Sequence, residues 1–403
     1  LSQVKRYSIV SFLMVLLLGT GCEKTDTSTN QNVEIGALLS LTGNWSSLGI
    51  TSQEAINLAI TDVNAFMLQK GNNLKFSATI FETKLEAALA KDAINAGLTK
   101  KIKYFIGPQS SAELAAVKPI ADANNLLIVS QGSTAGSLAV AEDGIFRFCP
   151  GDVVEGPALA KTIFNAGKRV VVTISRDDEG NKGLQQSVGK AFTAAGGQTD
   201  AMSPYGAAIT NFQTVLSELK TKLQAHITTY GADKVAVYLA SFDEGVSLMA
   251  QASADPVFSS VKWYGGDGIV LSAALPANTQ AAAFAQTVEF IAPNFGLPSL
   301  AHPDLARIAA AIQTKTNLVP DAYALAAYDA VWVIARTVES MRSSGNDYTT
   351  VKNIFKAEAG KFFGITGQTI LNQAGDRSQG AFDYWGIGLE NGKFKWILKG
   401  KSS

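Results

Sequence analysis

The sequence predicts an α/β protein built from two doubly wound parallel-sheet lobes. Three observations carry that prediction. Short runs of Val, Ile and Leu alternate with segments of helical apolar spacing along most of the chain. The runs are apolar throughout rather than every second residue, the pattern of parallel strands covered on both faces. The strand–helix rhythm then starts afresh at "KRVVVTIS". About 380 residues remain after an N-terminal targeting segment, which suits two domains with cores of their own.

Taken in order, "VEIGALLSL" (33–41) is the first strand, and from Ser52 the residues Ala55, Ile56, Leu58, Ala59 and Val63 recur at helical spacing. Strands "FSATIF", "YFIG" and "LLIVS" follow, separated by helices over 86–98 and 112–123, with Ser111 as N-cap and Glu113 in the first turn. The second series opens with "KRVVVTIS", continues through a helix over 182–195, and adds strands "KVAVYLA" and "VKWYGG". The strand "VEFIAP" and the helix "YALAAYDAVWVIARTVESM" come late, and no Gly/Ser or Pro linker separates the halves. The chain is therefore expected to cross between lobes more than once.

Residues 1–21 have the layout of a secretory signal: Lys5 and Arg6, an apolar run over 9–18, then small residues before Cys22. The run is shorter than the ~20 residues a membrane span needs. "GTGC" followed by the polar "EKTDTSTNQN" resembles the lipobox of bacterial lipoproteins, which makes Cys22 a lipidated first residue and 22–32 a tether. Firm anchoring takes two or more acyl chains. The other cysteine, Cys149, reads as a small buried apolar residue.

Formal net charge is zero, so nothing favours nucleic acid. No GxGxxG or GxxxxGK[ST] loop is present, and "GSTAG" places Thr134 where a hydrolase elbow carries Ser. The two histidines, His226 and His302, read as surface or helix-end residues, and no pattern suggests a metal cluster. "RDDEG" (176–180) reads as a solvated loop. No cofactor and no catalytic centre are expected.

Instead, four strand ends are rich in small and hydroxyl residues: "LSLTGNWSSLG", "FIGPQSSAEL", "IVSQGSTAGSL" and "WYGGDGI". Open α/β sheets bind ligands outside the carboxyl ends of their strands. Gly permits close approach, Ser and Thr supply hydroxyls, and a following helix N-terminus favours an anion. A carboxylate gains ~0.3–2 kcal/mol from such a terminus. Each charge-assisted hydrogen bond adds ~1.5–3 kcal/mol.

These segments, with "FRFCPGDVVEGPALA", "YALAAYDAVWVIA" and "GITGQTILNQAGDRSQGAFDYWGIGLENGKF", run in an order that resembles the type I periplasmic solute-binding proteins of ABC importers, in their leucine/isoleucine/valine-binding branch. The resemblance spans the mature chain. It implies two lobes joined by three hinge crossings with a ligand cleft between them: 33–151 with 289–380 in lobe 1, and 152–288 with 381–403 in lobe 2. "VEFIAP" and "YDAVW" then return to the first lobe.

The resemblance also implies a site. The Ser111 hydroxyl and Thr134 bind a carboxylate, Ser133 lies in the same strand end, and the Gly132 carbonyl accepts from an ammonium. Asp152 matches an acid near the lobe crossing, and Asp267 pairs with the ammonium. Phe242 stands where the family often has Tyr, and Trp45 covers the ligand's side chain. Simpler roles exist for several: a turn for Asp267, a loop cap for Asp152, core for Phe242, partial burial for Trp45. The chain departs from the family in "DDEGNKGL", where Gly180 or Asn181 replaces a Tyr, and at Phe242. Strict specificity for leucine, isoleucine or valine therefore does not follow.

The function so implied is a monomeric, lipid-anchored extracytoplasmic binder of an amino acid or similar zwitterion that delivers it to an ABC permease. Alternatives on the same fold are a binder of amides, urea-like solutes or aromatic acids, or a sensor subunit. An aromatic acid would leave Asp267 repulsive. An enzyme on this scaffold needs a general base in the cleft, and the carboxylates have no evident partner.

Overall fold

The structure, a computed structural model, describes residues 31–297 and 302–402. The signal segment, Cys22 and nearly all of the tether lie outside the described residues.

The first lobe opens with β1 (Gln31–Leu39), α1 (Ser46–Gln69), β2 (Leu74–Glu82), α2 (Ala87–Thr99), β3 (Tyr104–Ile106), α3 (Ser111–Ala123), β4 (Leu127–Ser130) and β5 (Ile145–Pro150). Each pairing among these strands is parallel, and their order is β5-β4-β3-β1-β2. The chain reverses its winding at β1, so a crevice opens beyond the carboxyl ends of β1 and β3. Helix α1 begins six residues earlier than its apolar spacing suggests. Gly49 allows this: a Cβ there would sit 1.7 Å from the Ser40 carbonyl oxygen.

The second lobe follows: α4 (Asp152–Asn165), β6 (Val170–Ser175), α5 (Glu179–Ala194), β7 (Gln198–Ala201), α6 (Gln213–Tyr230), β8 (Val235–Ala240), α7 (Glu244–Ala252), α8 (Pro256–Ser259), β9 (Lys262–Gly265), α9 (Ala274–Ala277), α10 (Thr279–Thr287) and β10 (Ile291–Phe295). Here β6 lies between β7 and β8, which sets a second switch point facing the first. Every residue of β6 and β8 is buried. Each large apolar side chain so enclosed contributes ~1.5–3 kcal/mol.

The remaining elements are α11 (Leu305–Thr316), α12 (Ala322–Ser344), α13 (Tyr348–Lys361), β11 (Phe363–Gly364), β12 (Gly367–Gln368), β13 (Asp376–Arg377), β14 (Phe382–Glu390) and β15 (Lys393–Lys401). β13 pairs with β5 in the first sheet, whereas β14 and β15 extend the second. Among the described residues the chain thus passes between the sheets three times: after Pro150, after Phe295 and after Arg377.

One expectation is corrected. The "VEFIAP" strand does not return to the first lobe; it is β10, parallel to β9 and antiparallel to β14 in the second sheet. The return begins after Phe295 rather than at residue 289. An apolar run is compatible with the interior of either sheet, so only its pairing partners distinguish them.

Helix α12 is buried over nearly its whole circumference from Ala322 to Val338. The acid inside this stretch, Asp329, accepts from the Ile365 and Thr366 N–H groups at 2.7 and 2.9 Å and from the Thr366 hydroxyl at 2.6 Å. Arg147, 1% exposed on β5, forms a bidentate pair with Asp376 at 2.5 and 2.6 Å. That pair ties the last crossing to the first sheet.

Candidate functional site

The first lobe contributes a cradle of hydroxyls. α3 is capped by Ser110, not by Ser111: the Ser110 hydroxyl accepts from the Glu113 N–H at 3.3 Å, and Glu113 accepts in return from the Ser110 N–H and hydroxyl. The capping assignment moves by one residue because Ser110 has the extended backbone a cap needs. Ser111 is thereby released. Its Oγ accepts from the Ser133 hydroxyl at 3.0 Å and the Ala135 N–H at 3.2 Å. Ser130 binds the two strand ends together, donating to the Pro108 carbonyl at 2.7 Å and accepting from the Ser133 N–H at 3.0 Å.

Gly132, in the same strand end, passes close to Trp45; a Cβ there would lie 3.1 Å from the indole and 2.9 Å from the Gln109 carbonyl oxygen. The Thr134 carbonyl accepts from the Asp152 N–H at 2.9 Å, so the hydroxyl-rich strand end abuts the start of α4. Ser111, Ser133, Thr134 and Asp152 are all buried.

The second lobe closes over this cradle. A Cβ on Gly180, at the start of α5, would stand 3.3 Å from Ser111 Oγ, and one on Gly183 would stand 2.5 Å from Asp152 Oδ2. Gly180 and Gly183 thus let α5 press against the cradle. At the rim, the Trp45 N–H donates to Asp243 at 2.8 Å and the Ala273 N–H to the Ser47 hydroxyl at 3.1 Å. Trp45 is 3% exposed and stacks with Phe242, ring centroids 5.1 Å apart, and edge-on with Tyr323 at 6.1 Å. All eight residues read from the sequence therefore fall in one connected interlobe region.

Its electrostatics are unusual. Asp267, on the loop after β9, accepts from the Tyr323 hydroxyl at 3.0 Å. Burial, and then the charge of Asp152, push its carboxyl up to about 7. Burial pushes Asp152 up to about 6, against the pull of the Thr134 hydroxyl and Arg147. Glu155, one turn further along α4, is completely buried and pushed well up, by burial first and then by Asp267 and Asp152. The Thr134 hydroxyl and the Asp267 backbone lie near these acids, yet none of the four carboxyl oxygens of Asp152 and Glu155 has a partner at hydrogen-bond distance and angle among the described residues, and neither do the buried Tyr238 and Ser241 hydroxyls. The Tyr238 hydroxyl belongs to the same group, held neutral by burial and by these three acids.

Spacing along α4 could have flagged Glu155, since Asp152-x-x-Glu155 places both acids on one helix face. Tyr323 and Tyr238 gave no such signal, being aromatics in apolar segments. "RDDEG" is a solvated loop only in part: Asp177 is exposed, whereas Arg176 is buried, ion-paired to Asp178 at 2.8 Å and Glu244 at 3.2 Å, and lies over the Phe242 ring. His226 contacts Asp200 on the far side of the second lobe, and His302 stacks on Phe363. Among the described residues no group of three or more His, Cys, Asp or Glu is arranged to hold a metal ion, and no helix is long and apolar enough to cross a membrane.

Two α/β lobes with three crossings, closed over a polar interior to which both contribute, define a bilobal ligand-binding protein. The chain belongs to the family described as "receptor family ligand binding region", whose model matches residues 51–389. Its fold is that of the type I periplasmic binding proteins, as the sequence resemblance implied. The Leu/Ile/Val-binding protein BraC3 of Rhizobium johnstonii is 24% identical over 361 residues, covering 88% of this chain and 91% of that protein. The leucine-binding protein LivK of Thermotoga maritima superposes with a TM-score of 0.71 at 20% identity, covering 92% of this chain and 99% of LivK. A solute-binding protein of an R. palustris ABC transporter, solved with benzoate, also gives 0.71, at 17% identity, over 93% and 97% of the two chains.

Proposed function

We propose that this protein captures an amino acid between its lobes and delivers it to an ABC permease. One observation carries the reading: a hydroxyl cradle suited to a carboxylate lies beside three buried carboxyls, none of which has an ion-pair partner among the described residues. A zwitterion fits both halves. Ser111 and Thr134 receive its carboxylate, and Asp267, with the Gly132 carbonyl, receives its ammonium. Trp45 and Phe242 enclose the side chain, and closure is a population shift driven by contacts to both lobes. The protein acts as a binder rather than a catalyst, outside the cytoplasm, tethered through Cys22 and working as a monomer.

The benzoate-bound neighbour and the aromatic wall favour an aromatic acid as the second reading. Asp152, Glu155 and Asp267 argue against it, because a purely anionic ligand would meet three acids and no compensating charge.

Native mass spectrometry of the protein as purified, followed by a thermal-shift panel, tests the assignment. At a ligand concentration 100 times Kd the stabilisation is ~2.7 kcal/mol. A shift with aromatic or amide solutes and none with the twenty amino acids would overturn it.

A further inference from the structure

The amino-acid reading, on which this inference rests, leaves a charge imbalance inside the closed site. The cations near the acids are already engaged. Arg147 is bidentate to Asp376, and Arg176 is bound by Asp178 and Glu244. Arg377 donates to the Thr366 carbonyl at 2.7 Å and the Thr366 hydroxyl at 3.1 Å, with Asp329 beside it. The other titratable neighbours, Cys149, Tyr238 and Tyr323, are held protonated by burial and supply no positive charge. Asp152 feels Arg147 at a distance, but among the described residues Asp152, Glu155 and Asp267 have no ion-pair partner of their own.

A ligand such as leucine brings one ammonium and one carboxylate, hence no net charge. Its ammonium has three N–H donors, whereas Asp152 and Glu155 alone present four unpartnered oxygens, and Asp267 adds an acceptor already shared with Tyr323. Glu155 sets this site apart: it is completely buried, the Asp267 backbone lies near it, and neither carboxyl oxygen has a partner at hydrogen-bond distance and angle, which is costly unless a ligand completes it.

We propose that the ligand is an amino acid with a second positive charge on its side chain, of the lysine or ornithine kind, and that Asp152, Glu155 and Asp267 together receive its two cations. Such a ligand has a net charge of one plus and leaves fewer of the three acids needing a proton.

Isothermal titration calorimetry of the ligand-free protein at pH 7.5 tests this with L-lysine, L-ornithine, L-norleucine and L-leucine. Norleucine retains the lysine chain length without its terminal amine. At least tenfold tighter binding of lysine or ornithine than norleucine is expected, and Glu155→Gln should shrink that ratio at least fivefold. Equal or tighter binding of norleucine or leucine by the wild type overturns the second-cation inference and leaves the amino-acid reading intact. Binding of benzoate with none of the four amino acids overturns both, as does no binding of any probe. The wild-type comparison decides the matter even if the variant fails to fold.

Discussion

The Tyr323 hydroxyl, from a helix of the first lobe, donates to Asp267 of the second lobe at 3.0 Å. The bond joins the lobes at the acid proposed to receive the ligand's ammonium, so it both orients that acid and favours closure. Tyr323→Phe removes one donor and leaves the ring packed against Phe295 and Trp45. A hydrogen bond to a charged group contributes about 1.5–3 kcal/mol. Amino-acid affinity should therefore fall about 10- to 100-fold by calorimetry, with little change in the melting temperature of the ligand-free protein. An unaltered Kd would remove Tyr323 from the site.

The neighbouring serines should separate stability from binding. Ser110→Ala loses the α3 cap and should cost about 1 kcal/mol in chemical denaturation, with little effect on Kd. Ser111→Ala removes a carboxylate donor and should weaken the amino acid about tenfold or more while leaving the cap intact. Equivalent profiles for the two variants would contradict the division.

Stability should fall as pH rises. Asp152, Asp267, Glu155 and Asp321 all have carboxyls raised by burial, so between roughly pH 4 and 7 the folded protein holds more protons than the unfolded chain. Their contribution is complete below the unfolded values and is lost as pH passes through the folded ones. Asp152 alone, at about 6 against 3.8, corresponds to about 3 kcal/mol at pH 7. The ligand-free protein should melt roughly 5 °C higher at pH 5 than at pH 8, and Glu155→Gln should flatten that slope. A melting temperature that climbs over the same range would refute the cluster's electrostatics.

Affinity has the opposite dependence. A cationic ligand binds the ionised acids and expels their protons, so Kd should drop as pH rises from 5 to 7.5. Titrations in buffers of different ionisation enthalpy should show proton release. A pH-independent Kd with no proton release counts against these acids as the cation's partners.

Asp376→Asn should be among the most disruptive single changes, because it leaves Arg147 charged and buried without its partner. Breaking a buried pair on one side costs about 3–5 kcal/mol, measurable by urea denaturation. A loss below 1 kcal/mol would show that the pair does not hold the third crossing.

The parallel sheets and the hydroxyl-rich strand ends were legible in the sequence, whereas the strand orders that set the two switch points were not. Continuous apolar strands report sheets buried on both faces, and Ser111, Ser133 and Thr134 stand at strand ends where little but ligand or capping explains hydroxyls. The acid cluster was only half legible. Asp152 and Asp267 lie beside glycines, at the first residue of α4 and in the loop after β9, whereas Glu155 sits one turn into the helix, where an acid is ordinarily solvated; its burial depends on how α4 packs against α5 and β5. Arg176 and Asp243 were missed for the same reason, their partners being far away in sequence. The lobe membership of β10 depended on strand pairing, which an apolar run does not encode.

The rim bonds, Trp45 to Asp243 and Ala273 to Ser47, are made by this chain to itself and are the same whatever lies inside. They therefore cannot discriminate among solutes. They act on dwell time instead, slowing escape of every bound molecule by a common factor, since differences among related complexes reside mostly in the off-rate. On the proposed function, selectivity belongs to the interior and the timing of release to the rim, so Asp243 sets how long the lobes stay closed and not which ligand they hold.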